Sequence, residues 1–127
     1  MIGKPLSAPD APMPAGGYAQ AVELAGASRL VFVSGQIPVK ADGSVPATFA
    51  EQCRTAWANV EAQLRAAGMT FDNLVKVTIF LADRRFALEN REVRRSVLGD
   101  RTPAMTVVIA TIFDEAWLLE IEAIAAA

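Results

Sequence analysis

At 127 residues with 53% apolar side chains, the chain is long enough for one hydrophobic core and too short for two. Its single cysteine, Cys53, cannot close a disulfide within the chain, and the absence of histidine removes both a plausible zinc ligand set and the commonest general base. A net charge of −2, no apolar run near the ~18 residues of a bilayer span and no basic-then-apolar leader predict a cytoplasmic protein without attraction to membranes or nucleic acid.

Residues 1–16 carry Pro5, Pro9, Pro12 and Pro14, so they are expected to be an extended lead-in to a single domain over residues 17–127. Tyr18 to Leu24 alternates like a strand, Ala25 to Ser28 supplies a turn, and Leu30 to Val33 is apolar on both faces, which together predict a hairpin. Pro38, Asp42-Gly43 and Pro46 then mark a loop.

Thr48 and Glu51 have capping-box spacing, and Phe49, Cys53, Trp57, Val60 and Leu64 recur every three or four residues until Gly68, the pattern of an amphipathic helix. Leu74 to Ala82 reads as a central strand with Val75, Val77, Ile79 and Leu81 on one face and Lys76, Thr78 and Phe80 on the other. Asp83 starts a second helix with a stripe of Phe86, Asn90, Val93 and Val97, ended by Gly99. Within it Arg84, Arg85, Arg91, Arg94 and Arg95 alternate with acids and read as a solvated face rather than a nucleic-acid patch. After Pro103, Ala104 to Thr111 and Trp117 to Ala125 complete the strands.

This order predicts an α+β fold in which two helices cover one face of a sheet. The strands are apolar on both sides, so the uncovered face predicts self-association, with ligand sites in grooves between subunits. Cys53 falls on the apolar stripe of its helix and is read as a packing residue, as are Trp57 and Trp117. Glu120 and Glu122 lie two apart in a strand, on one face and about 6.6 Å from each other along it.

Several segments resemble the Rid (YjgF/YER/UK) family: Gly17-Tyr18-Ala19-Gln20-Ala21, Val33-Ser34-Gly35-Gln36-Ile37-Pro38, Gln52 and Asn59, Lys76 to Leu81, Pro103-Ala104 and Glu120 to Ala125. The resemblance spans Tyr18 to Ala125 and implies a chorismate-mutase-like, YjgF-like mixed sheet closed into a homotrimeric barrel, with three clefts between subunits. It implies hydrolysis of reactive imines and enamines without a cofactor. It implies Glu120 as the residue that positions the attacking water, and Tyr18, Ser34, Gly35, Met105 and Thr106 as substrate-binding positions.

In the best-known subgroup an arginine follows the Pro-Ala pair and grips the substrate carboxylate, but here that position holds Met105. A thioether cannot reproduce the bidentate clamp of a guanidinium, so the sequence predicts a neutral or apolar ligand, with a non-standard imine or enamine as the expected substrate. Arg101 is one substitute to consider, but four extended residues put it up to ~14 Å from position 105. A non-catalytic ligand-binding protein and a chaperone-like protein are the alternatives. Ribonuclease or translation-inhibitor activity is disfavoured by the missing histidine and the acidic balance.

Overall fold

A computed structural model describes all residues, Met1–Ala127. The elements are β1 (Lys4–Leu6), β2 (Ala21–Glu23), β3 (Leu30–Gln36), α1 (Phe49–Ala66), β4 (Leu74–Leu81), α2 (Ala87–Leu98), β5 (Ala104–Ile109) and β6 (Leu119–Ala126). Thr48 caps α1 by accepting from the Glu51 amide, and Asp83 caps a 3₁₀ turn, Arg84–Phe86, that leads into α2. No helix is long and apolar enough to cross a membrane.

Four strands form one sheet in the order β3-β6-β4-β5, antiparallel except for the parallel β4–β5 pair. The expected hairpin between the first two predicted strands does not form. β2 pairs instead with β1 from the proline-rich lead-in, and β3 pairs with β6 from the far end of the chain. The reason is burial: beside β6, Val33 enters the core and Val31 packs against it, which the short, exposed β2 could not offer. Ser28 and Arg29 both donate to the Ala127 carbonyl, which fixes where that long-range pairing starts.

Both helices lie on one face. Cys53, Trp57, Val60 and Leu64 of α1 and Val93 and Leu98 of α2 bury against Val77, Ile79 and Leu81 of β4 and Leu119, Ile121, Ala123 and Ala125 of β6. A register shift between Leu74 and Lys76 puts Leu74 with the buried set and leaves Val75 half-buried, contrary to simple alternation. The opposite face carries Phe32, Lys76, Thr78, Phe80, Glu120, Glu122, Ile124, Thr106 and Val108, and no element covers it. Phe32 is 71% exposed there.

Two side-chain amides, the buried Gln52 and the half-buried Asn59, tie the loops to α1. Gln52 donates from Nε2 to the carbonyls of Pro46 and Ala116, both at 3.0 Å, and its Oε1 accepts from the Leu118 amide at 2.8 Å. Asn59 donates to the carbonyls of Ile37 and Val39. Gln52 thereby sets the entry of β6, two residues before Glu120.

Candidate functional site

The residues singled out in the sequence fall into two groups on opposite sides of the sheet. On the uncovered face, β3 gains one residue relative to β6 between Val33 and Gln36, so Ser34 and Gly35 form a bulge. Bulges re-aim a strand next to functional groups. Here the bulge turns Gly35 toward Glu120: a Cβ at position 35 would lie 2.6 Å from the Glu120 carboxyl carbon and 3.0 Å from its Cγ. Glycine is what lets the carboxylate rest against the strand.

Glu120 is half-buried and makes no ion pair or side-chain hydrogen bond within the chain. It opens onto a depression of about 400 Å³ lined by Phe80, Ala110, Thr111, Ile112 and Phe113. An unpaired carboxylate beside an apolar hollow can accept a proton from water and has no competing partner. Thr106 lies on the same face two strands away, where its Oγ1 accepts from Lys76 Nζ at 2.6 Å, so it is not adjacent to Glu120.

Met105 and Tyr18 form the second group. Met105 pairs with Val77 and therefore points to the helix side, where it packs against the core. β5 is two strands from β6, roughly 9.6 Å, so Met105 and Glu120 differ in both face and strand. Tyr18 is held in a tight loop, its hydroxyl accepting from the Ala15 amide at 3.1 Å. The two share a hollow of about 330 Å³ with Gly16, Gln20, Arg91, Arg94 and Val107.

Arg94 corrects one expectation from the sequence. Arg84, Arg85, Arg91 and Arg95 are exposed as predicted, but Arg94 is only 7% exposed, with Nη1 3.3 Å from Met105 Sδ. Its position four residues after buried Asn90 is the signal that could have placed it on the inner side of α2. Burial, then the charges of Arg91 and Arg95, hold its pKa below the usual guanidinium value. Arg101 is no substitute: Nε is bound to Asp72 Oδ1 at 2.7 Å and Nη1 to the Leu98 carbonyl. Cys53 is fully buried, and that burial pushes its thiol up to about 12, so it stays protonated and is no nucleophile at neutral pH.

The sequence profile of the endoribonuclease L-PSP family matches residues 8–127. The chain belongs to the Rid family. This Rid protein is 34% identical over 127 residues to the 2-iminobutanoate/2-iminopropanoate deaminase of Rattus norvegicus, a match covering 98% of this chain and 90% of the rat protein. Its fold superposes with a TM-score of 0.85 on YyfB, a Rid protein of unknown function from Yersinia pestis, at 21% identity and full coverage of both chains. The TM-score is 0.72 with E. coli TdcF bound to serine, at 33% identity and 98% coverage of each chain. The mixed sheet with two helices on one face is that of other Rid structures.

The Gly35 contact yields a test confined to the Rid carboxylate. Gly35→Ala should displace the Glu120 side chain by about an ångström while β3 keeps its pairing, because no positive φ is needed at position 35. If Glu120 is catalytic, turnover should fall about 10²-fold, the scale of a misplaced catalytic group, with the thermal midpoint nearly unchanged. Steady-state kinetics beside a melting curve checks this. Full activity with a shifted carboxylate would remove Glu120 from the chemistry.

Proposed function

We propose that this protein hydrolyses small imines or enamines in a cleft assembled between copies of the chain. The observation that carries the reading is the unpaired Glu120 carboxylate beside Gly35, facing a small hollow on the uncovered side of the sheet. The relation to a rat 2-iminobutanoate/2-iminopropanoate deaminase supports it, as does a related structure that holds serine.

Glu120 takes a proton from water, whose oxygen adds to the carbon of the C=N bond while the nitrogen gains a proton. The resulting carbinolamine then collapses: the C–N bond breaks, the hydroxyl loses its proton, a C=O bond forms and ammonia leaves. An enamine enters by tautomerising to the imine. The balance is one imine and one water in, one carbonyl compound and one ammonia out. No electron transfer is involved.

The same reading assigns the uncovered face to assembly. Phe32, Ile124 and Val108 would cost free energy in contact with water, and closing three copies around a common axis buries them. Assembly also brings a Glu120 half-site of one copy to a Tyr18 and Met105 half-site of the next. Light scattering should give three times the 13.5 kDa chain mass, and ammonia release from an imine generated in the assay should proceed above the spontaneous rate. A monomer, or release no faster than without protein, would count against the reading.

A further inference from the structure

Removing a guanidinium from water is unfavourable unless an opposite charge or a full set of acceptors replaces the hydration. Arg94 has neither. The two ion pairs in the chain are Arg65 with Glu61 and Arg101 with Asp72, and neither involves it. Its contacts are the thioether of Met105 at 3.3 Å and the Gly16 carbonyl at 3.5 Å, a weak acceptor and a long bond for a group with five N–H donors. The charges nearest to it on α2, Arg91 and Arg95, have the same sign.

The chain around Arg94 is shaped to approach it. Gly16 and Gly17 have φ of +118° and +76°, a left-handed pair that wraps the loop over the end of the guanidinium. A Cβ at Gly17 would stand 3.1 Å from Arg94 Nη2, so a side chain there would crowd the cation. Tyr18 and Gln20 complete a polar wall, and Arg91 lines the same hollow. A buried cation with free donors, walled by a hydroxyl and an amide and open at about 330 Å³, has the features of a site for a small anion.

We propose that Arg94, with Arg91 at the rim, is the anion-binding group of the cleft, and that the ligand carries a carboxylate. Met105 is the counterpart of Arg94: a pliable, neutral side chain that lets the guanidinium lie against β5, where an arginine would meet Arg94 with like charge. The neutral ligand expected from Met105 alone is replaced by an anionic one. The proposal rests on the cleft described under the proposed function and concerns binding, which is measured separately from hydrolysis.

The test is calorimetric titration of the intact protein with pyruvate and with pyruvamide, its neutral isostere. The wild type should bind the acid at least about 10-fold more tightly than the amide. Arg94→Gln should lower acid affinity to that of the amide, and Arg94→Lys should recover part of the loss, since it keeps the charge but not the fork. Without ligand, Arg94→Gln should melt no lower than the wild type, because an uncompensated buried charge has been removed, whereas a purely structural arginine would cost stability. Arg91→Gln, at an exposed position, supplies a second variant and should weaken the acid by a smaller factor. No acid binding by the wild type, equal affinity for acid and amide, or undiminished acid binding by Arg94→Gln overturns the proposal. Acid binding that depends on Arg94 in a protein without hydrolysis would uphold the anion site and overturn the catalytic reading. Hydrolysis indifferent to Arg94 would do the reverse.

Discussion

Replacing Glu120 with glutamine should lower imine hydrolysis by about 10² to 10⁴-fold, the usual range for loss of a positioned general base. The amide preserves the shape of the side chain and its contact with Gly35, so β6 and the bulge of β3 should be undisturbed. What it loses is the negative charge that lets the carboxylate take a proton from water and become a neutral acid. Glu120 has no partner within the chain to be left stranded, so the variant should melt within a degree or two of the wild type. The comparison is of ammonia release per assembled particle, with binding of a keto acid as a control that should survive. Wild-type turnover in a folded Glu120→Gln protein would move the water-activating group elsewhere on the uncovered face. Glu122, two residues on and exposed, would be the next to test.

The second large effect is on stability. Gln52→Leu conserves most of the side-chain volume but leaves the carbonyls of Pro46 and Ala116 and the amide of Leu118 without their partner. An unsatisfied polar group costs about 1 to 3 kcal/mol when fully buried, and these three are only partly buried, so the total should be about 2 to 3 kcal/mol. Because Leu118 leads into β6, the Glu120 carboxylate should also lose its fixed position, and activity should fall in the fraction that remains folded. Denaturant unfolding of both proteins measures the first effect and kinetics the second. A loss below about 1 kcal/mol would show that water enters and takes over the three bonds.

Period made α1, β4 and β6 legible in the sequence, because each keeps one buried face, while Gly68 marks the end of α1, Gly99 the end of α2 and Pro103 the start of β5. The pairing of β3 was not legible. Sequence neighbours suggest a hairpin with β2, whereas β3 pairs with β6, some ninety residues away, where Val33 joins the core. Glu120 and Gly35 could be singled out, but their contact depends on one extra residue in β3, and a bulge leaves little trace beyond a glycine in a strand. Arg94 was missed for a different reason. An arginine in a helix rich in charge is usually solvated, and only its spacing from Asn90 spoke against that.

β3 and β5 end the sheet on either side, and apart from one bridge, Ala19 to Ala104, no other strand continues it past them. The unpaired edges border the same apolar face that carries Phe32 and Val108. On the proposed assembly, a newly folded chain is adhesive until it meets its own kind. Substitutions at these positions would leave the tertiary structure of one copy nearly intact yet decide whether copies close into a finished particle or add strand to strand without limit. Such a change would be felt first as lost solubility during synthesis, before any effect on the chemistry of a single copy.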